Sequence, residues 1–475
     1  MDELAGQQDE RRERHNPKFN NRVYPFIIDV TINSIKGMAI PRVDIIGAGF
    51  GGLQCARRLA GKPVDVLLID KNNYHLFTPL LYQVASSLLN PSDIAYPIRA
   101  VFRHAKNVRF RVAEVTAVDF DAKVVKTADG TGIPYDYVVI AAGSATNFFG
   151  LATVGQVAQG LKDLPEALEL RNHILRCFEA AAGECDEAAR RKWLTFVVVG
   201  GGPTGVEYAG ALSELVRLVL VHEYPELDLS AVRIVLIEAM GQVLPLFSET
   251  LGRDTEAELE KREIEVRLNT RVVDASDETV QLSSGERIET KTLVWAAGVK
   301  PAVLAAVVDV SRSRSGRIEV DKFLRIKGRQ NAFAIGDIAS YVQDGGEVPM
   351  LSAPAMQEGR HVADTILRAM RGEALVPFHY RHKGAMATIG RNAAVAQIGR
   401  MSLTGFVGWV AWLLLHLYSL IGFRNRIAVL LGWAWNYVWY DRPVRIIVRA
   451  NEHAPNSHSP PLIVSQHESR KVANG

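Results

Sequence analysis

Short apolar runs alternate with longer amphipathic segments along most of the chain. RVDII at 42–46 and DVLLID at 65–70 have the composition of buried strands, and the apolar spacing of the segment between them predicts a helix that ends at a glycine. The pattern returns at 195–237, where TFVVV and RIVLI flank a second predicted helix. Strands that alternate with helices of this length are typical of parallel sheets with crossover helices. The sequence therefore predicts an α/β protein in which one unit occurs twice.

Each unit has a glycine-rich turn between its first strand and its helix. The glycines follow GxGxxG spacing and are Gly47, Gly49 and Gly52 in GAGFGG, and Gly200, Gly202 and Gly205 in GGGPTG. In such a turn the first glycine permits a tight bend, the second lets the backbone approach a pyrophosphate, and the third lets the helix pack closely on the strand. The two turns predict two Rossmann-like dinucleotide-binding domains.

An acidic residue ends the strand that follows each turn, Asp70 in VLLID and Glu238 in VLIE. A carboxylate at this position can accept hydrogen bonds from ribose hydroxyls. No arginine directly follows Glu238, so we expect NADH to be preferred over NADPH, whose 2′-phosphate the carboxylate would repel. Two dinucleotide sites in one chain are explained most simply by NADH that passes a hydride to the flavin of FAD.

Three later strand ends complete the predicted cofactor sites. YVVIAAG and LVWAAG end alike, and AIGD places an acidic side chain where it can hydrogen-bond the ribityl chain of a flavin. The residues concerned are Ala142, Gly143, Gly336 and Asp337 for FAD, and Ala297 and Gly298 for NADH. Each short motif is weak by itself, and their order along the chain makes the set specific.

With its motifs in this order, the span from 40 to 450 resembles the single-subunit, type II NADH:quinone oxidoreductases, flavoproteins with two dinucleotide-binding domains. The most particular match is NNYHLFTPLLYQVAS at 72–86. The resemblance implies that this stretch lies against the flavin. It places four of its residues near the isoalloxazine: Thr78, Pro79, Leu80 and Gln83. It also implies a part in proton or charge transfer for Glu207, just after the second turn.

The resemblance extends to a quinone site. SAPAMQEGRHVA is similar to the family motif AQxAxQEG, although Ala353 stands where the family commonly has its first glutamine. YRHKGAMATIG is similar to a second family stretch. By this resemblance the quinone residues are Ala353, Pro354, Gln357, Glu358 and Lys383. The candidate catalytic residues are Glu207, Gln357 and Lys383.

The chain has three cysteines, Cys55, Cys177 and Cys185, at irregular spacing and without a CxxC pair. We therefore expect no disulfide framework and no metal site. A disulfide reductase or a sulfide:quinone oxidoreductase would lack its electron relay. Two other interpretations stay open: a membrane-associated flavoprotein that acts as an NADH-responsive redox sensor or scaffold, and a ferredoxin- or rubredoxin-type reductase.

The segment 401–449 differs in character from the rest of the chain. Residues 405–422 are almost wholly apolar, five of the seven tryptophans lie between 409 and 439, and arginines flank the segment. A transmembrane span and a buried or dimer-forming helix are alternatives, but we favour a C-terminal helical region that anchors on a lipid bilayer surface as a monotopic element. Residues 405–440 contain no Asp or Glu, so we expect no proton pumping.

The motifs divide the chain into five predicted parts. These are a disordered extension at 1–37, an FAD-binding domain at 38–158 and 299–385, an NADH-binding domain at 159–298, a membrane-associating region at 386–450 and a disordered tail at 451–475. The net charge of +3, from 55 basic and 52 acidic residues, gives no support for nucleic-acid binding. We expect a homodimer, peripheral on the cytoplasmic face of the cell inner membrane.

Overall fold

The computed structural model describes residues 40–442 and 444–448, and from Pro41 onward they belong to one compact unit. The segments predicted to be disordered, 1–37 and 451–475, lie outside the described residues.

Residues 40–158 form the first segment of the described chain and contain the first glycine turn. Its strands are β1 (Arg42–Ile46), β2 (Asp65–Asp70), β3 (Tyr74–Leu76), β4 (Ala95–Pro97), β5 (Val108–Val112), β6 (Val115–Asp119), β7 (Val124–Thr127), β8 (Gly132–Pro134), β9 (Tyr137–Ile140) and β10 (Ser144–Thr146). Its helices are α1 (Phe50–Leu59), α2 (Leu81–Ala85), α3 (Pro91–Ile94), α4 (Ile98–Val101) and α5 (Ala152–Val157).

Residues 159–298 form the next segment, which contains the second glycine turn. The strands are β11 (Gln159–Gly160), β12 (Thr195–Val199), β13 (Arg233–Ile237), β14 (Ile264–Arg267), β15 (Val272–Ala275), β16 (Thr279–Leu282), β17 (Arg287–Glu289) and β18 (Thr292–Trp295). The helices are α6 (Leu164–Gly183), α7 (Glu187–Trp193), α8 (Pro203–Glu214) and α9 (Glu249–Glu260). α6 and α7 are separate helices because Asp186 caps α7 by accepting a hydrogen bond from the Ala188 N–H.

The remaining strands are β19 (Val299–Pro301), β20 (Ile318–Glu319), β21 (Ala332–Ala334), β22 (Ala339–Ser340), β23 (Val342–Gln343), β24 (Gly346–Glu347), β25 (Ala385–Gly390), β26 (Ala393–Ile398) and β27 (Met401–Leu403). The remaining helices are α10 (Leu304–Val307), α11 (Ser352–Met370), α12 (Gly405–Ser419) and α13 (Phe423–Trp439).

Two five-stranded sheets of the same design organise the molecule. Their strand orders are β21-β9-β1-β2-β5 and β11-β18-β12-β13-β14, and all of their pairings are parallel. In each sheet the strand before the glycine turn is central and lies beside the strand that ends in the acidic residue. The predicted α/β class with two Rossmann-like units is confirmed, and β21 joins the first sheet from far along the chain.

The C-terminal part begins with the antiparallel sheet β25-β26-β27 and continues into α12 and α13. Trp412 of α12 and Val429 of α13 are fully buried and belong to the same core cluster as the second sheet. Within residues 40–442 and 444–448, the structure contains no helix with the length and apolar character needed to cross a membrane.

Candidate dinucleotide and quinone site

The first glycine turn is shaped by close contacts that leave no room for side chains. Gly47 has φ +102°, and a Cβ there would lie 2.3 Å from the Ala141 carbonyl oxygen. A Cβ on Gly52 would lie 1.9 Å from the Gly47 oxygen. Gly49 differs, because it precedes α1 as its N-cap and a Cβ there would meet nothing within 4 Å. The open side of the turn at the helix N-terminus fits a pyrophosphate.

The second turn repeats this geometry. Gly200 has φ +109°, and a Cβ there would lie 2.6 Å from the Ala296 carbonyl oxygen. A Cβ on Gly205 would lie 1.8 Å from the Gly200 oxygen, whereas one on Gly202, the N-cap of α8, would meet nothing within 4 Å. The second cradle therefore also fits a dinucleotide.

Both predicted ribose carboxylates also hold their own turns. Asp70 accepts hydrogen bonds from the Ala48 and Asn72 N–H groups, each at 2.7 Å. Glu238 accepts from Gly201 N–H at 2.6 Å and from Met240 N–H at 2.8 Å. Each carboxylate thus fixes the glycine turn beside the place predicted for a ribose. Spacing alone predicts the acidic residue but does not reveal these backbone contacts.

The other predicted FAD residues surround the ends of β9 and β21. Gly143, at φ +70°, follows Ala142 after β9, and a Cβ on it would meet nothing within 4 Å. Asp337 accepts a hydrogen bond from Ser144 Oγ at 2.5 Å, and its carboxylate lies 3.7 Å from Lys162 Nζ. Sequence analysis missed Ser144 and Lys162, which have no motif of their own. The equivalent Ala297 and Gly298 follow β18 at the second sheet.

The stretch at 72–86 forms β3, a 3₁₀ turn over Thr78–Leu80 and α2. Leu80 and Gln83 are buried, Pro79 is half-buried and Thr78 is exposed. His75, also buried, contacts the Ala48 carbonyl oxygen through Nδ1 at 2.9 Å. The stretch is therefore hydrogen-bonded to the first glycine turn through His75.

Glu207 lies where three elements meet: its own α8, β25 and α12. The Thr388 N–H of β25 donates to Glu207 Oε1 at 3.3 Å. Burial raises the pKa of the Glu207 carboxyl to about 8, although the hydrogen bond from Thr388 and the indole of Trp412 act in the opposite direction. The side chain is therefore protonated at neutral pH.

Gln357 and Lys383 are connected through one short segment. The Gln357 amide donates to the Arg381 carbonyl oxygen at 3.0 Å and accepts from the Arg381 N–H at 3.1 Å. Lys383, two residues further, is exposed and leads into β25. Since β25 also carries Thr388, the segment 381–388 contacts both Gln357 and Glu207.

Glu358 is placed differently from the rest of the predicted quinone set. Its side chain is buried and accepts a hydrogen bond from the Gly336 N–H at 2.5 Å. Burial raises the pKa of Glu358 to about 7. Its neighbours Ala353 and Pro354 lie in the first turn of α11. The Glu358 carboxyl thus supports the turn of the predicted FAD residue Asp337.

A family model described as pyridine nucleotide-disulphide oxidoreductase matches residues 41–359. The type II NADH:quinone oxidoreductase NdhA of Mycobacterium tuberculosis is 42% identical over 413 residues, covering 84% of this chain and 87% of the relative. The chain belongs to the type II NADH:quinone oxidoreductases.

A second type II NADH:quinone oxidoreductase of the same organism, Ndh, is 40% identical over 411 residues, covering 84% of this chain and 88% of the relative. Among solved structures, NDH2 from Plasmodium falciparum in complex with NADH superimposes with a TM-score of 0.79 at 21% identity, covering 86% of this chain and all of that one. That likeness shows the fold. FAD and NADH are the cofactors of this type II family, and the two glycine cradles fit them.

The cysteines agree with a type II enzyme rather than with a disulfide reductase. Cys55 lies buried in α1, Cys177 lies buried in α6, and Cys185 is exposed after α6. All three are free thiols. None of them lies in the stretch at 72–86 that is predicted to lie against the flavin.

Proposed function

We propose that the protein oxidises NADH and reduces a quinone held in a lipid bilayer: NADH, one proton and quinone give NAD⁺ and quinol. The observation that carries the proposal is the pair of matching glycine cradles in one compact unit. Bound FAD would accept the hydride of NADH and release two electrons to the quinone. The relatives that are type II NADH:quinone oxidoreductases support this activity over a sensor or a ferredoxin-type reductase.

The protein's own residues would position the reactants and hold a proton. Gly49 and Gly202 leave space for the pyrophosphates of FAD and NADH, and Asp70 and Glu238 lie at the predicted ribose positions. Glu207 holds a proton at Oε1 or Oε2 at neutral pH and could donate it as quinol forms. Lys383 lies on the segment 381–388, which contacts both Gln357 and Glu207, and it would bind the quinone together with Gln357.

α12 and α13 would attach the protein to the bilayer surface. Each helix packs on the body through one face, and the opposite faces expose apolar side chains: Phe406, Leu414, Tyr418, Phe423, Leu431 and Val438. On α13 the polar Asn425 points inward, which reverses the arrangement of a helix that faces water. A large exposed apolar surface of this kind is typical of a membrane-binding face. The docked protein would take its quinone from the lipid phase without pumping protons.

Charging this face is expected to release the protein from lipid. The double variant Leu414→Asp/Leu431→Asp replaces two leucines, each 63% exposed, with aspartates, whose charged side chains do not favour burial in lipid. Each leucine contributes roughly 1.5–3 kcal/mol when buried, so vesicle binding should weaken by at least about 10-fold. Vesicle co-sedimentation measures the effect, and Val303→Asp, at a side chain 72% exposed near α10, is the control. Equal sedimentation of both variants would contradict surface docking.

An anaerobic titration tests the activity. The FAD-loaded protein is mixed with NADH and then with a short-chain quinone while the flavin absorbance is followed. We expect bleaching by NADH and rapid return of the oxidised spectrum with quinone. A protein that stays bleached in the presence of quinone would be a sensor rather than an oxidoreductase.

The domain limits, the homodimer and the cytoplasmic face of the inner membrane also belong to this proposal. The domain limits are supported by the first sheet, which recruits β21 from the second of its two predicted segments. Light scattering of the detergent-solubilised protein would test the homodimer.

A further inference from the structure

A partly buried polar contact connects α13 to the stretch predicted to lie against the flavin. The Trp433 Nε1–H donates to Gln83 Oε1 at 2.8 Å, across 350 positions of sequence. Gln83 is only 4% exposed, whereas Trp433 is half-buried. Trp433 lies on the inward face of α13, and its ring packs against that of Trp412 at 5.9 Å between centroids.

The Trp433 contact fixes which way the Gln83 amide points. An indole N–H can only donate, so the amide oxygen must face Trp433 and the NH₂ group must face away. One N–H of that group donates to Tyr82 Oη at 2.8 Å. Among the described residues, the second N–H of Gln83 has no hydrogen-bond partner. An oriented amide therefore presents one unused donor.

Further contacts hold residues 86–93 to α13 and to the segment that follows it. The Asn425 amide of α13 donates to the carbonyl oxygens of Ser92 and Asp93, both at 3.0 Å. The guanidinium of Arg442, a side chain 1% exposed, donates to the Ser86 carbonyl oxygen at 2.8 Å. The body of α13 is thus fixed relative to residues 83–93, and the indole of Trp433 cannot easily move away.

We propose that Trp433 is a positioning residue that orients the Gln83 amide so that its unused N–H meets a carbonyl oxygen of the quinone. A quinone carbonyl can only accept hydrogen bonds, so a flipped amide would present oxygen to oxygen and repel it. The inference rests on the proposed quinone reduction. It makes the inward face of a lipid-docking helix part of the quinone site.

Trp433→Phe tests the inference, with Trp435→Phe as the matched control. Trp435 lies on the same helix, is 49% exposed and donates to Asp441 at 3.5 Å, so its replacement also deletes an indole donor. NADH-driven bleaching of the flavin should be unchanged in both variants. The KM for a short-chain quinone in detergent should rise about 3- to 10-fold in Trp433→Phe, as expected for one hydrogen bond. The control should match the wild type.

Gln83 variants separate orientation from packing. Gln83→Glu keeps an acceptor for Trp433 and removes the donating N–H, so it should raise the KM for quinone at least as much. Gln83→Glu also tests the inference if the Trp433→Phe protein does not retain FAD. Adding Trp433→Phe to Gln83→Glu should bring little further rise in KM, because the two act on one donor.

Two results would overturn the inference: an unchanged KM for Gln83→Glu, or a Trp433→Phe protein whose KM and kcat equal those of Trp435→Phe. Failure of the proposed function gives a different result. In that case the reduced wild-type protein itself would not be reoxidised by quinone.

Discussion

Gly202→Ala is expected to give a folded, FAD-containing protein that NADH reduces poorly. Gly202 has φ −72°, which alanine readily adopts, and a Cβ there would meet nothing within 4 Å. We therefore expect the fold to tolerate the substitution. The added methyl lies on the open side of the turn, where the NADH pyrophosphate would approach. Overpacking costs about 1–3 kcal/mol, which corresponds to roughly 5- to 150-fold weaker binding.

Gly205→Ala should fail for a different reason. Its Cβ would lie 1.8 Å from the Gly200 oxygen, so α8 would have to move away from β12. We expect a lower Tm and loss of the NADH-binding fold, measured by thermal denaturation and FAD retention.

The NADH dependence of flavin bleaching, measured by stopped flow, gives the binding effect for Gly202→Ala. A Gly202→Ala protein with wild-type kcat/KM for NADH would show that the nucleotide does not use this cradle.

Local signals predicted the two sheets and their cofactor turns well. Glycine turns between strand and helix depend on contacts within a few residues and on one later strand, so spacing reports them directly. The positions of Asp70 and Glu238 at strand ends follow from the same spacing, and their contact with a ribose stays a prediction. The bonds from these carboxylates to Ala48 and Gly201 remained hidden, because side-chain direction is set by tertiary packing.

The C-terminal region shows where sequence patterns stop being informative. Its apolar composition predicts attachment to a surface, but composition does not distinguish an outer face from an inner one. The structure buries Trp412, Asn425 and Arg442 against the body and exposes other faces of the same helices. Deleting everything after residue 399 would therefore remove core packing along with the exposed face. Substitutions on the exposed face are the cleaner test of docking.

Glu207→Gln is expected to slow flavin reoxidation by quinone by about 100-fold or more, the usual contribution of a general acid. The amide keeps an oxygen for the Thr388 N–H but has no proton to give. In the wild type, the rate should fall as the pH rises past the Glu207 pKa of about 8, because the carboxyl loses its proton there. The variant should lack this limb of the pH profile, while its bleaching by NADH stays normal.

Stability provides an independent readout of the same side chain. The folded-state pKa of Glu207 is about 8 against an ordinary 4.5, so the folded protein keeps a proton that the unfolded chain releases. The contribution of the Glu207 carboxyl to the free energy of unfolding is complete below pH 4.5 and is lost progressively as the pH rises to about 8. A glutamine side chain does not titrate, so Glu207→Gln should gain stability relative to the wild type between pH 5 and pH 9. Thermal denaturation at both pH values measures the gain, which should reach about 2–5 kcal/mol.

Glu358→Gln is the matched comparison for both readouts. Glu358 is also buried and has a raised pKa of about 7, but its carboxyl faces the Gly336 N–H beside Asp337. We expect this variant to lose FAD affinity and to show a similar pH-dependent change in stability, while its bound flavin keeps the wild-type pH profile of reoxidation. If Glu207→Gln gains stability at high pH but reoxidises at the wild-type rate, Glu207 is a buried structural acid and the quinone takes its proton elsewhere. A kinetic loss confined to Glu207→Gln would instead assign the proton to this position, because burial and raised pKa are common to both carboxyls and only their neighbours differ.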